Sequence, residues 1–598
     1  MEMASFSRVY WGAATVLYVC IAYAFAKEVP QAYMDEIFHI PQCQAFCEGR
    51  FSYWDPMITT FPGLYYAALF LLSFLYPGTA AFQLLQGKFI RSTFRPLCSL
   101  FALRFVNIVL SLVCLLLFRE VAFEVRLRAE HLLAVDSGSQ ELGSGQIAVT
   151  NGVESQSKKP IGSNDSKTYR EANKGKETIS RAGSGKLSVA KRRGTHHTEN
   201  GTAAAIEDLT GRKTGPGGPG YEFGEAAYDS IGTASVGDLQ NRRQPSTEDF
   251  FKAAALVLYP PHFFFAFLFY TDVGSTAAIA AMYLATLRHR FWVAALLAVV
   301  AIFFRQTNVV WALFVTCTGA TEVLWPLPGS GMPSDRLDKR SLNKTESVSP
   351  LALWALAKRA WTHRTAVLRT FGPLLFVIAA FVVFAVRNGG IVLGAKDAHK
   401  MSLHMPQFLY CLAFVFCALA PVQLLPAHVS HVSAYGIARV KRSPGRTLAL
   451  LLAALAAVHW FTIEHPYLLA DNRHYPFYLW RWIFKRHVAV KYLLVPFYLY
   501  AATSLVLSLA KTQRPLWIFF YLMATFGVLV PAPLIEFRYF NVPFFLAALH
   551  VPMPSKRRRP TLLLQLVLFA ILDIGAVSLF LRRTFEWPHE SGTQRYMW

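Results

Sequence analysis

The stretch from Phe251 to Trp325 reads FKAAALVLYPPHFFFAFLFYTDVGSTAAIAAMYLATLRHRFWVAALLAVVAIFFRQTNVVWALFVTCTGATEVLW. Four apolar runs, 251–270, 273–288, 291–305 and 307–325, follow one another with only a few polar residues at each junction. Runs of this length cross about 30 Å of hydrocarbon only as helices, because lipid offers the backbone no hydrogen-bond partner. The expected fold is an all-α polytopic membrane protein.

The pattern continues on both sides. Further spans are expected at 7–26, 97–118, 368–386, 406–424, 447–463, 491–511, 515–532, 536–551 and 561–581, about 12–14 transmembrane helices in all, with 62–77 a shorter apolar stretch. The small residues at the end of the first run, Ala22 to Ala26, also suit a signal-peptide cleavage site, but the run is long enough to stay as a helix. Composition agrees: 598 residues, 54% hydrophobic and 14% aromatic, are too apolar for a soluble protein and too many for one core.

The formal charge of +23 is spread over linkers and short loops, which points to membrane topology and away from nucleic acid. Basic residues at Arg126 and Arg128, Arg288 and Arg290, Lys358 to Arg364, Lys441 to Arg446, Lys511 and Arg514, and Lys556 to Arg559 mark alternate loops as cytoplasmic. The opposite set, 27–60, the residues around 271 and 305, 387–405, 464–476, 533–538 and the C-terminal tail, then shares the other face. An odd number of crossings must separate 27–60 from Arg126, so 62–77 is expected to be re-entrant or interfacial.

Two inserts interrupt the spans and divide the chain into 1–128, 129–248, 249–326, 327–366 and 367–598. Residues 129–248, rich in Gly, Ser, Thr, Lys and Glu, are expected to be disordered, since they bury too little apolar surface to offset ordering entropy. The Gly183-Ser184-Gly185-Lys186 and Lys191-Arg192-Arg193 segments inside them lack the strand-to-helix context of a phosphate loop and read as solvated linker. The eight cysteines have no metal-ligand spacing. Cys20, Cys98, Cys114, Cys317, Cys411 and Cys417 read as small buried hydrophobes, and a Cys43–Cys47 bridge is disfavoured by helical geometry.

Chemistry concentrates in loop 27–60, which holds Glu28, Asp35, Glu36, Glu48 and Asp55 against only Lys27 and Arg50. One helical turn gathers Asp35 or Glu36 with His39, and a carboxylate at a membrane surface can take a proton from a sugar hydroxyl. The alternative is a solvated acidic loop.

The segments Tyr33-MDEIFHIPQ to Thr60, Phe304 to Asn308, His404 to Gln407, Leu468 to Tyr475, Leu534 to Phe540 and Gln594 to Trp598 together resemble, in order, the dolichyl-phosphate-glucose alpha-1,2-glucosyltransferases. These enzymes add the terminal glucose to the lipid-linked oligosaccharide precursor of N-glycosylation. The resemblance implies a GT-C type, inverting glycosyltransferase in the endoplasmic reticulum membrane with a lumenal active site. Its donor would be dolichyl phosphate glucose, its acceptor a dolichyl-diphosphate oligosaccharide, with no cofactor and no metal. The base role passes to Asp35, with Glu36 as its rival. The Gly394 to His399 segment departs from the family's Gly-Asp-basic pattern, which puts a direct role for an acid there in doubt.

Inversion needs one base and cationic groups for the departing phosphate, not the carboxylate pair of a retaining glycosidase. Arg305, Lys396, Arg473 and Arg538 are candidates, with Arg305 preferred at a helix end at headgroup depth. Its plainer role is snorkelling, and that of Glu536 with Arg538 is to pair with each other. The consecutive Asp471, Asn472, Arg473 and His474 suit sugar hydroxyls or a solvated turn, and His39 and Asp55 are further substrate-binding candidates, while His399 and His404 read as hydrogen-bonding loop residues. Asp272 suits a helix N-cap. A related mannose transferase shares this reading. A transporter is the rival class, given Arg104 and Asn107, but no repeat is evident and the polar clusters lie at one face.

Overall fold

The computed structural model describes residues 2–75, 98–153, 244–325, 350–396, 401–554, 557–588 and 590–598. Their architecture is helical, with one two-stranded hairpin, Thr584–Trp587 with Glu590–Arg595, following the last helix. Leu100–Glu130, Arg364–Asn388, Val490–Leu509 and Arg558–Arg582 are long and apolar enough to cross a membrane, and several shorter apolar helices pack with them. This is the polytopic fold expected.

Contacts sort the loops into two ends. At one, Arg126 pairs with Asp249 at 2.9 Å, Arg128 with Glu322 at 2.7 Å and Arg288 with Glu124 at 2.6 Å. Arg514 donates to the Trp325 carbonyl at 2.6 Å, and Arg558 pairs with Glu248. Four of the basic loops that set the expected topology therefore meet at a single end. At the other end, the Thr59 carbonyl accepts from Gln306 at 2.8 Å and from the Leu393 N–H at 3.0 Å, and Arg538 reaches Asp35.

Helix Gly63–Leu75 begins beside Thr59 and is 13 residues long, about 20 Å, too short to cross. Cys98 lies at the same end, joined to Cys47 by a disulfide. Both flanks of 62–97 therefore share one face, in line with the parity argument. Gly63 lets this helix abut the backbone of Phe303 and Phe304, where a Cβ would come within 2.5 Å of the Phe303 carbonyl. That contact seats the chain just before Arg305.

Several expectations are corrected. The helix from Leu100 runs on to Val153, 25 residues into the 129–248 insert. At the far side, Ser246 and Asp249 form a reciprocal capping box on Thr247–Val257. Residues 154–243 lie outside those described, as do the triplets at Asn164, Asn200 and Asn343. The 327–366 linker contains helix Pro350–Thr362, and the loop carrying Lys441 and Arg442 is helix Pro426–Arg442. Cys98 is no inert apolar thiol but the partner of Cys47, while Cys43 is free and buried. The pair is 51 residues apart, a separation that no local spacing pattern reports.

Several expected spans are broken. Leu419 interrupts 406–424 between Pro406–Ala418 and Ala420–Gln423, and 536–551 opens with a 3-10 turn, Phe537–Phe540. The most consequential break is in 251–270. Pro260 and Pro261 lack the N–H that would continue helix Thr247–Val257, so a short helix, Pro260–Phe265, follows and the chain unwinds until Thr271. Unwound backbone at membrane depth needs partners. Asn107 Nδ2 donates to the carbonyls of Leu268, at 2.6 Å, and Tyr270, at 2.8 Å. Glu36 accepts the Phe269 N–H at 2.7 Å.

Glu36 is itself held by Arg104, whose Nε and Nη2 reach its two oxygens at 2.9 and 2.6 Å, while Nη1 and Nη2 also donate to the carbonyls of Val29 and Gln31. Glu36 has 0% and Arg104 4% of its surface exposed. Stripping one partner from such a pair leaves a buried, uncompensated charge, at a cost of about 3–5 kcal/mol. Glu36→Ala and Arg104→Ala are each expected to lower the thermal unfolding temperature in detergent by several degrees or to abolish accumulation of folded protein. A native unfolding temperature in either variant would show that the pair does not hold loop 27–60.

Candidate functional site

The end that gathers loop 27–60 with the chain around 271, 305, 465–477 and 531–542 encloses a cavity of about 610 Å³. Asp35, His39, Asp272, Arg305, Asp471, His474, Glu536 and Arg538 all line it. Asp35 immediately precedes helix Glu36–Cys47, and Met34 before it takes a left-handed backbone, φ 57°, that only a well-braced residue of this type keeps. The bracing includes Glu36, which accepts the Tyr33 N–H at 3.1 Å, and Tyr270, whose hydroxyl accepts the Asp35 N–H at 3.1 Å.

Arg538 is the hub. Its Nη1 lies 3.0 Å from Asp35 Oδ2 and 3.8 Å from Asp272 Oδ2, its Nε bonds Glu536, and its guanidinium lies 5.4 Å from the Tyr270 ring centre. Arg305 pairs with Asp272 at 2.9 Å, donates to Thr271 at 3.1 Å and lies 5.6 Å from the Tyr539 ring centre. Arg305 is thus not a snorkelling side chain. Asp272 is not a cap either: Tyr270 occupies the N-cap position, and the carboxylate is spent on Arg305. Carboxylates outnumber guanidiniums here, and Asp35 keeps 40% of its side chain open.

Burial raises the affinity of the Asp35 carboxyl for its proton, but the charges of Arg538 and, to a lesser extent, His39 act more strongly together, so it titrates below its ordinary value. His39, donating or accepting at 2.7 Å with the Tyr65 hydroxyl, is pushed down to about 4, chiefly by burial and further by Arg538 and Arg305 against the pull of Asp35. At neutral pH the pair is a carboxylate beside a neutral imidazole. Asp471 also titrates low, since its hydrogen bonds and charge contact with Arg473 outweigh burial.

Other candidates fall outside the cavity lining. Glu36 has no exposed surface and both oxygens engaged, so it is a brace beside Asp35. Asp55 caps its own turn through the Met57 N–H at 2.8 Å. Lys396 donates to the Asn388 carbonyl at 2.7 Å, closing the end of helix Arg364–Asn388. His404 is buried against the Pro533 carbonyl at 3.3 Å and supports the 531–534 wall. His399 lies outside the described residues.

The 471–474 cluster splits by role. Asp471 and His474 face the cavity. Arg473 binds Asp471 at 2.8 Å and Gln594 at 3.2 Å and stacks 4.5 Å from the Trp587 ring centre, while Asn472 accepts from Trp587 Nε1 at 2.8 Å. The Met597 N–H donates to the Arg473 carbonyl, and the Tyr475 N–H to that of Met597. The C-terminal hairpin and tail thus clamp this wall. Sequence reasoning missed Tyr270, Tyr539 and Trp587, whose roles depend on what the chain folds beside them.

A membrane bundle with this charged cavity at one end is built for a polar substrate met at the membrane surface. The chain belongs to the DIE2/ALG10 family, whose family model matches residues 29–136 and 230–549. It is 33% identical to a protein of Arabidopsis thaliana named Dol-P-Glc:Glc(2)Man(9)GlcNAc(2)-PP-Dol alpha-1,2-glucosyltransferase, over 95% of both chains. It is 29% and 28% identical to proteins of the same name from Mus musculus and Homo sapiens, over 100% of each chain. No solved structure matches.

The clamp makes a direct expectation. Trp587→Ala removes both the stack on Arg473 and the bond to Asn472, so the tail should open more often and trypsin should cut at Arg583 or Arg595 several-fold faster. An unchanged cleavage rate would mean that the tail is held without Trp587.

Proposed function

We propose that this protein transfers glucose from dolichyl phosphate glucose to a dolichyl-diphosphate oligosaccharide, forming an alpha-1,2 linkage with inversion, at the lumenal face of the endoplasmic reticulum membrane. The observation that carries the reading is the partly open Asp35 carboxylate beside two guanidiniums in one cavity, in a chain whose full-length relatives bear that enzyme's name. The Cys47–Cys98 disulfide supports the orientation, since such bonds persist in oxidising compartments and this one lies at the cavity's end of the bundle.

The geometry suits a single displacement. The acceptor hydroxyl oxygen attacks the anomeric carbon as Asp35 takes its proton. The bond from that carbon to the phosphate oxygen breaks, and dolichyl phosphate leaves with the electron pair. Charge then grows on the phosphate, which Arg305 and Arg538 can meet with planar, paired N–H donors. Glu536 and Asp272 hold those guanidiniums in place between turnovers. The charge is met by side chains, with no resident cofactor assigned.

Asp35→Asn should lower turnover about 100- to 10,000-fold in transfer of radiolabelled glucose while donor binding persists. Activity near normal would remove the base role from Asp35. The pH profile gives a second check. Since the Arg538 charge opposes the effect of burial on Asp35, Arg538→Gln should raise the Asp35 pKa and move the acid limb of kcat/KM to higher pH. An unmoved limb would mean that another group sets it.

Arg305 bears on the leaving phosphate. Arg305→Lys keeps the charge but loses the planar pair of donors, so it should lower kcat more than it raises the donor KM. Native values for both constants would leave Arg538 to carry that role.

A further inference from the structure

The cavity wall from His465 to Phe477 continues directly into a turn of π-helix, Trp480–Phe484, and a short helix, Val490–Leu493. One face of this segment is tied inward. Trp480 stacks on Phe484 at 4.7 Å, shares a small core with Leu468 and Ile535, and donates from Nε1 to Glu464 at 3.1 Å. Leu468 and Ile535 also line the cavity, so the segment packs directly behind its wall.

The outward face is different. Arg481, Lys485 and Arg486 are exposed, Lys491 follows in the next helix, and the exposed Trp482 and Val488 stand between them with Leu493 just beyond. Of these cations, Lys485 pairs with Glu464, at 3.4 Å. Among the described residues no carboxylate pairs with Arg481, Arg486 or Lys491. In the cavity, by contrast, both Arg305 and Arg538 are paired and carboxylates are in excess. Cations interleaved with aromatic and aliphatic side chains, at the ends of Pro444–Trp460 and Val495–Leu509, belong at headgroup depth.

We propose that this basic face, centred on Arg481, Lys485, Arg486 and Lys491, binds the diphosphate of the lipid-linked acceptor. The inference rests on the glucosyltransferase reading above. The acceptor hydroxyl stands at the far end of a long oligosaccharide, whereas the diphosphate stays at the membrane surface, so one cavity of about 610 Å³ cannot hold both. The carboxylate-rich cavity repels a further multiply charged anion. The cations beside it, of which Arg481, Arg486 and Lys491 have no carboxylate partner among the described residues, attract one at the depth where the lipid fixes it.

The test uses the full-length protein in vesicles of phosphatidylcholine, with all four cations changed to glutamine (R481Q, K485Q, R486Q, K491Q). The KM for the dolichyl-diphosphate oligosaccharide should rise about tenfold or more, with kcat and the donor KM within about twofold of native. The same oligosaccharide freed of its lipid diphosphate should be used equally by native and variant protein. If the fourfold variant does not fold, Arg486→Gln alone should show part of the acceptor effect. An unchanged acceptor KM would overturn the proposal. So would an equal loss on the diphosphate-free acceptor, or a loss confined to vesicles containing anionic lipid, which would make bulk lipid the partner. A native protein that transfers glucose to neither acceptor fails the glucosyltransferase reading itself.

Discussion

The Glu36–Arg104 pair is the contact on which the rest of the site depends. Arg104 projects from the membrane helix that starts at Leu100, and it draws Glu36 and the carbonyls of Val29 and Gln31 onto that helix. Glu36 in turn accepts the N–H of Phe269 in the unwound segment. One buried ion pair therefore joins the first loop, a membrane helix and the broken span. Charges so placed are costly to desolvate, and they persist because both Glu36 oxygens and all three guanidinium nitrogens of Arg104 are engaged.

From that joint the cavity follows. With Glu36 turned inward, its neighbour Asp35 is presented outward to Arg538. The unwound segment ends at Tyr270, whose hydroxyl meets Asp35 and whose ring lies beneath Arg538. Thr271 and Asp272 begin the next helix and receive Arg305. The two guanidiniums are held by carboxylates and aromatic faces at once, the preorganisation that the proposed transfer requires for charge appearing as a bond breaks.

Much of this was legible because the membrane simplifies the reading. Apolar runs located the helices, basic loops sorted their ends, and the acidic loop 27–60 stood out by composition. Asp35, His39, Arg305, Asp471, His474, Glu536 and Arg538, picked from the sequence, do meet in one cavity. What could not be read was pairing over long distance. Nothing local distinguishes Glu36 from Asp35, since the difference lies in Arg104, 68 residues on. Asp272 looks like a cap until Arg305 is beside it, and Asn472 and Arg473 look like sugar ligands until Trp587 covers them. The break at Pro260 was visible in the sequence, but apolarity alone does not report that Asn107 and Glu36 pay the cost of unwinding.

The central claim is that one end of this bundle performs a single glucosyl transfer with inversion. It is tested most directly by giving the purified protein dolichyl phosphate glucose or dolichyl phosphate mannose with the diglucosylated dolichyl-diphosphate oligosaccharide, and determining the linkage of the product by NMR. The account predicts one added glucose in alpha-1,2 linkage and no transfer of mannose. Addition of mannose, a beta-linked glucose, or no product from correctly folded protein would contradict it.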